Sequence, residues 1–162
     1  MEETSLLKDI GVCKEKLSFS FLDSPEICEL MIGKKNYSEE EVHNLIYKQI
    51  FPYLYIDETQ TKVLSYICLE IDIPKAPTST VKNLKLIVWI YSHKEGMKYY
   101  KKGYSGTKLD ILTDIVERQL RNSYKFGIGK LELMSCQYFF PNNKYYGKQL
   151  IYNVPDFKLK DK

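Results

Sequence analysis

The segment Leu84–His93 constrains the fold more than any other part of this 162-residue sequence. Its apolar residues occur on both faces of a β-strand, because successive side chains along a strand point in opposite directions. One face carries Leu84, Leu86, Val88 and Ile90, and the other carries Ile87, Trp89 and Tyr91. We therefore expect a strand covered on both sides, by the core on one side and by a helix or a partner on the other.

Other segments rich in β-branched and aromatic residues predict further strands. Leu64–Ile73 reads as a strand ended by Pro74, and Tyr53–Ile56 is a candidate short strand before it. Lys130–Phe140 and Lys148–Val154 predict two strands joined by the turn Pro141–Lys144. Lys75–Lys82 has the composition of a loop.

The N-terminal third of the chain predicts helices. Apolar residues at spacings of three and four indicate a first helix that ends near Asp23–Pro25: Leu6, Ile10, Cys13, Leu17 and Phe21. Ser24 and Pro25 can start a second helix that Gly33 ends. Ser38 and Glu41 have the spacing of a capping box. The third helix should then run to Pro52 and bury Val42, Leu45, Ile46 and Ile50.

A fourth helix is expected after the long connection Ser92–Gly106. Thr107 can cap it, with Asp110 at its third position, and Asn122–Ser123 is a plausible end. Its apolar stripe consists of Leu109, Leu112, Ile115, Val116 and Leu120.

This element order predicts an α+β fold, with an antiparallel or mixed four-stranded sheet and flanking helices in the order α-α-α-β-β-α-β-β. We expect residues 1–37 to form an N-terminal helical extension, 38–157 the α+β core domain, and 158–162 a flexible tail.

Composition narrows the class of protein. The content of 44% hydrophobic and 28% charged residues is that of a globular domain. No apolar run is long enough to span a bilayer, and no signal peptide is recognisable, so we expect synthesis in the cytoplasm and no membrane partner. A net charge of +3 is too small to indicate nucleic-acid binding over the whole surface. Tyrosine is the unusual residue, with 14 copies, and it is favoured at interfaces.

Residues that could perform chemistry are few. Cys13, Cys28, Cys68 and Cys136 lie in apolar surroundings without metal-ligand spacing. Glu70 and Asp72 share one side of a strand and could hold a divalent cation if a third ligand joined them. His93 could approach Cys68 in the fold. Gly127–Gly129 precedes a predicted strand, whereas a phosphate-binding loop must precede a helix, and Gly103–Gly106 lacks the spacing of such a loop. We expect no catalytic residues, no metal and no cofactor.

A basic and aromatic segment is the strongest candidate for binding. It consists of Lys94, Lys98, Tyr99, Tyr100, Lys101, Lys102 and Tyr104. Interleaved cations and aromatic rings can follow a nucleic-acid backbone, and they also suit a protein interface. A solvated loop without a partner has the same composition, so three readings stay open.

Two segments carry a family resemblance. The helix containing Leu109-Asp-Ile-Leu112, Ile115 and Leu120, followed by strands that close on Tyr146-Gly-Lys-Gln-Leu-Ile-Tyr-Asn-Val-Pro-Asp-Phe157, resembles tail-terminator and related neck proteins of tailed bacteriophages. The resemblance covers roughly residues 39–157 and rests on element order and loose strings.

The resemblance implies a structural virion protein and not an enzyme. Neck proteins of this kind form a ring, usually of six subunits, that caps the tail tube and joins it to the head connector or stopper protein. The segment Lys94–Tyr104 would then be a candidate ring or tube contact, with possible non-specific contact to DNA in the channel. The alternatives are a small nucleic-acid-binding module that uses the same segment, and a cation-dependent enzyme built on Glu70 and Asp72.

Overall fold

The computed structural model of the chain describes residues 6–59, 61–73, 84–121 and 130–154. The helices in this part are α1 (Leu6–Ser20), α2 (Pro25–Ile32), α3 (Glu39–His43) and α4 (Lys108–Leu120), with short 3-10 turns at Phe21–Asp23 and Lys94–Gly96. The strands are β1 (Ile50–Phe51), β2 (Ser65–Asp72), β3 (Leu84–His93), β4 (Glu132–Phe139) and β5 (Tyr145–Val154).

All five described strands form one mixed sheet in the order β1-β2-β3-β5-β4. β1 runs parallel to β2, and the other neighbours are antiparallel. β3 pairs with β5 from Leu84 to His93 and with β2 from Lys85 to Ser92, and its predicted bounds are confirmed. The α+β class with a mixed sheet and flanking helices is therefore confirmed.

Helices α1, α2 and α4 cover one face of the sheet, called here the helix side. The helix-side residues of β3 are the four predicted from alternation, and all are buried: Leu84, Leu86, Val88 and Ile90. The predicted stripe of α4 is buried against them, as are Cys13, Leu17 and Phe21 from the first helix. One contiguous core thus joins the N-terminal helices to the sheet.

The predicted helix starts are confirmed by their hydrogen bonds. The Ser24 hydroxyl accepts from the amide of Ile27 at 3.3 Å, and Gly33 ends α2 with φ +89°, a left-handed conformation that glycine adopts without strain. Ser38 and Thr107 each begin a helix with a reciprocal capping box.

The third helix was predicted too long. It ends at His43, and Tyr47 has φ +61°, so the chain turns back before Ile50. The Leu45 carbonyl accepts from the amides of both Gln49 and Ile50 at 2.9 Å, which closes this turn.

That turn creates the strand β1, so the prediction of a four-stranded sheet is wrong by one strand. β1 pairs Ile50 with Ile67 and Phe51 with Cys68. The predicted short strand at Tyr53–Ile56 does not form, because the chain makes its pairing with β2 earlier.

Within the described residues, the second face of β3 is covered at one end and no helix lies on it, so cover of the rest by a partner stays a prediction. Tyr91 is buried at the covered end, whereas Ile87 and Trp89 remain half-exposed. The loop after β1 covers the buried end, since Tyr55 lies over Phe51 with ring centroids 4.2 Å apart.

Several predictions lie outside the described residues: the loop Lys75–Lys82, the helix end at Asn122–Ser123, and the tail 158–162. The division of the chain at residue 37 stays a prediction, although α1 and α2 pack on the core of the same chain. The turn Pro141–Lys144 between β4 and β5 is confirmed.

Gly147 of β5 allows the closest approach within the sheet. A Cβ atom there would lie 2.7 Å from the Ile90 carbonyl oxygen and 2.7 Å from the Tyr91 Cβ. We expect Gly147→Ala to lower the free energy of unfolding by about 2 kcal/mol, because overpacking at a backbone contact forces the strands apart. Urea denaturation followed by circular dichroism measures the change.

Gly11→Ala is the matched control. A Cβ at Gly11 meets nothing within 4 Å. Alanine in a helix interior should instead stabilise the protein by about 1 kcal/mol. Equal effects of the two substitutions would contradict the packing described for Gly147.

Candidate interaction surfaces

The segment Lys94–Tyr104 links β3 to α4 and is held to the body of the protein at both ends. The Lys94 amide donates to the Lys144 carbonyl at 2.8 Å, and the Lys108 amide donates to the Met97 carbonyl at 2.9 Å. The Lys94 ammonium also lies 5.8 Å from the ring of Phe140.

Two of the predicted tyrosines, Tyr99 and Tyr104, pack inward and anchor this segment to the rest of the protein. The Tyr99 ring packs against the core and lies 5.6 Å from the Lys108 ammonium. The Tyr104 hydroxyl accepts a hydrogen bond from Arg118, which also stacks over its ring. Burial raises the pKa of Tyr99, as expected for a ring that packs inward.

The rest of the predicted set is displayed to solvent. Tyr100 is 84% exposed, and Lys94, Lys98 and Lys102 are exposed, with Lys101 half-exposed. The structure therefore brings one free aromatic ring and several cations together on this loop. That surface can contact an acidic or aromatic partner, but it offers a single ring for stacking.

The glycines before α4 do not create an anion site. Gly103 and Gly106 have positive φ angles and shape the turn into the helix. The Asp110 carboxylate accepts from the Thr107 amide and hydroxyl, both at 2.9 Å. A carboxylate already occupies the position that a phosphate would take, which agrees with the rejection of this loop on its spacing.

The other candidate groups for chemistry are kept apart. Glu70 forms an ion pair with Lys14 of α1. No cluster of three metal-ligating side chains occurs within residues 6–59, 61–73, 84–121 and 130–154. Cys68 faces Trp89 in the ladder, about 13 Å along the strand from His93, so these two do not meet.

The face of the sheet opposite the helices carries a buried aromatic cluster, called here the aromatic face. Its buried members are Phe51, Tyr66, Cys68, Tyr91 and Tyr145. Tyr66 and Tyr91 stack at 4.9 Å, and Tyr145 meets both edge-on. Part of the high tyrosine content is therefore structural.

The hydroxyls of this cluster are bonded to the chain that covers it. Tyr91 donates to the Tyr55 carbonyl, and Tyr145 donates to the Lys62 carbonyl at 2.9 Å. Burial raises the pKa of Cys68 to about 11, so its thiol stays protonated at neutral pH and is a poor nucleophile. The buried part of the aromatic face is thus a packed layer.

The strand β4 presents a surface that sequence reasoning did not identify. β4 forms the end of the sheet, and most of its side chains are exposed. The large apolar ones are Leu133 at 43%, Met134 at 63%, Tyr138 at 66% and, just beyond the strand, Phe140 at 56%. We call these four residues the β4 edge surface. The uncharged run Leu133–Phe140 was the available signal for it.

A second surface lies at the opposite end of the sheet. An open groove of about 530 Å³ separates α1 from the turn that contains β1. Its walls include Gly11, Glu15 and Phe19 of α1, and Ile46, Tyr47 and Pro52 of the turn. We call it the α1 groove. Tyr47 is 64% exposed and Phe19 is 43% exposed, so the groove is partly apolar and open to solvent.

Comparison with known proteins assigns the chain to a family. The sequence model of the YomW family matches residues 24–154, so the chain belongs to that family. The family name derives from a phage gene, which is consistent with a phage protein and specifies no role in the neck or tail. No curated protein matches the chain. None of the helices in the described ranges is long and apolar enough to cross a bilayer.

Stability should fall at alkaline pH because of buried tyrosines. Burial raises the pKa of Tyr66, Tyr91 and Tyr152 in the folded protein. The folded state therefore holds these protons more tightly, and its stability is complete below about pH 10 and is lost progressively above it. Urea denaturation at a series of pH values, with absorbance at 295 nm, measures both stability and phenol ionisation. Ionisation of all 14 tyrosines near their ordinary pKa with the fold intact would contradict this burial.

Thiol chemistry tests the exposure of β4. Cys136 is exposed, whereas Cys13, Cys28 and Cys68 are buried. We expect one thiol of the native protein to react rapidly with Ellman's reagent and the other three to react only after unfolding. Cys136→Ser is the control and should remove the rapid phase. Rapid reaction of a second thiol would show that the core is more open than described.

Proposed function

We propose that this chain is a structural neck protein of a tailed phage, a tail terminator or tail-completion ring. It would cap the tail tube and join it to the head connector or stopper protein. Its place would be the neck of the virion, after synthesis in the host cytoplasm. The exposed β4 edge surface is the observation that carries this proposal.

A long strand at the end of a sheet attracts other strands unless charges, prolines or covering elements protect it. From Ser135 to Phe139, β4 pairs regularly with β5 and carries no charge. A register shift between Leu133 and Ser135 interrupts only its beginning. An apolar strand left in this state indicates a protein that associates with another chain.

The family and the fold support the same proposal at a coarser level. Membership of YomW is consistent with a phage origin. Helix α4 is followed by the paired strands β4 and β5, as in the neck-protein resemblance. The absence of a cluster of metal ligands in the described residues gives no support to the cation-dependent enzyme.

The loop Lys94–Tyr104 supplies the second contact that such a protein needs. A terminator must hold its neighbours in the ring and also bind the tube. Tyr100, Lys98 and Lys102 are exposed on a loop anchored by Tyr99 and Tyr104. We propose this loop as the tube contact.

The exposed ring of Tyr100 also favours a second function. A tyrosine flanked by Lys98, Lys101 and Lys102 could stack on a base while the lysines contact phosphates. Binding would then weaken steeply with salt. Because Tyr99 and Tyr104 face inward, a single stacking ring makes this the weaker candidate.

The proposal predicts closed rings that bind the ends of tail tubes. Light scattering of the purified protein over a wide range of concentrations gives its mass, and negative-stain images of the same sample show whether the particles close. Added tail tubes of the source phage should carry one ring at an end. Rings that form only upon addition of tubes also support the proposal.

The loop provides the control. Tyr100→Ala combined with Lys98→Ser and Lys102→Ser should leave the fold intact, since all three side chains are exposed. It should abolish binding to tubes without changing the ring. A strict monomer that ignores tubes and binds DNA in a salt-sensitive manner would overturn the neck proposal in favour of the nucleic-acid module.

A further inference from the structure

We infer that the β4 edge surface of one copy of this chain docks into the α1 groove of the next copy, in a head-to-tail arrangement. This inference rests on the proposed ring and names the two surfaces that would build it. The occupant of the groove is a second copy of the same chain.

The first argument is placement. β1 and β4 are the two outer strands of the sheet, so the two surfaces face away from each other. Both surfaces lie on the helix side of the sheet. The groove is walled by α1. Tyr138 pairs with Lys148, which lies on the same face of β5 as the buried Leu150. Two exposed apolar surfaces on opposite edges cannot cover each other within one chain, but each can cover the other in a neighbouring copy.

The second argument is shape. Tyr138 and Phe140 meet edge-to-face at 5.3 Å, and Phe140 meets Tyr146 at the same distance. These contacts hold two exposed rings against each other. The α1 groove, about 530 Å³ in volume, is lined by the apolar Phe19, Ile46, Tyr47 and Pro52 and by the polar Lys14, Glu15 and Ser18. An ordered aromatic pair and a partly apolar recess can act as anchor and pocket.

The third argument is charge. The groove wall carries Lys14, which is paired with Glu70, and the exposed Glu15. The segment 130–148, which contains β4, carries Lys130, Lys144 and Lys148 against the single acid Glu132. The excess of lysines beside β4 favours contact with the acid on the groove wall, whereas β4 against β4 would bring like charges together.

The consequence is a heterologous interface. An interface between two different patches repeats from copy to copy and closes into a ring when the rotation between copies permits it. A symmetric dimer through β4 would leave the α1 groove empty and end the assembly at two chains. The asymmetry of the two surfaces therefore fits a ring better than a dimer.

Each surface can be disabled without disturbing the fold. Tyr138→Glu places an acid beside Lys148 of the same chain, where it is tolerated, and opposite Glu15 on the groove wall of the neighbour. Gly11→Arg fills the α1 groove from a helix position where a Cβ meets nothing within 4 Å. Tyr138→Phe and Gly11→Ala are the matched controls, because they keep the aromatic ring and the open groove respectively.

The decisive experiment mixes the two disabled variants of the full-length chain. Each alone should be monomeric, with self-association weakened at least about tenfold. Mixed in equal amounts, they should form a 1:1 complex and stop there, because the mixture retains one intact β4 surface and one intact groove per pair. Sedimentation velocity measures the masses, and circular dichroism confirms the folds. The control variants should assemble as the wild type does.

The outcomes separate this inference from the proposed function. Wild-type rings that persist in both disabled variants would overturn the interface and leave the neck function standing. A 1:1 complex of the variants together with open filaments of the wild type would support the interface and count against a ring. A wild-type dimer that Tyr138→Glu breaks and Gly11→Arg leaves intact would overturn the inference in favour of symmetric pairing through β4.

Discussion

The pairing of β3 with β2 on one side and β5 on the other supports the whole domain. The ladder with β5 runs from Leu84 to His93 and that with β2 from Lys85 to Ser92, both without interruption, and every other layer is placed relative to them. The helix side of β3 is apolar from Leu84 to Ile90, so α1, α2 and α4 must cover it to remove that surface from water. Among the described residues, the chain after β1 covers one end of the aromatic face. The outer strands are less covered, and most side chains of β4 are exposed to solvent.

Sequence patterns predicted the structure correctly where the contacts that determine it lie close together in the chain. The capping boxes at Ser38 and Thr107 and the left-handed Gly33 fixed three helix boundaries, since each partner lies within a few residues. Alternation gave the bounds of β3 because its burial repeats every second residue. The end of α3 was missed because Gln49 reaches the carbonyls of Met31 and Ser65, contacts that no local pattern reveals.

The candidate binding residues show the same division. The composition of the loop singled out tyrosines and lysines correctly as a group, but it could not separate anchors from displayed residues. Tyr104 turns inward because Arg118, on a distant turn of α4, holds its hydroxyl and ring. Among the described residues, no comparable partner holds Tyr100, which is exposed. The sequence did not reveal the β4 edge surface for a related reason. A strand rich in aromatic residues is expected to be buried, and only the order of the strands in the sheet shows that β4 is an outer strand.

An exposed apolar outer strand promotes association with other chains, and a protein that acts as a monomer gains nothing from it. Lysines on alternate positions or a proline would protect β4 at little expense to the pairing with β5. The sequence keeps Met134, Tyr138 and Phe140 there, and it places the lysines in the flanking segments. Charge at the border of an apolar patch guides a partner, and the uncharged centre excludes water once the partner has docked. This arrangement supports the interface that we propose, in which the α1 groove at the other end of the sheet allows the same chain to supply both sides.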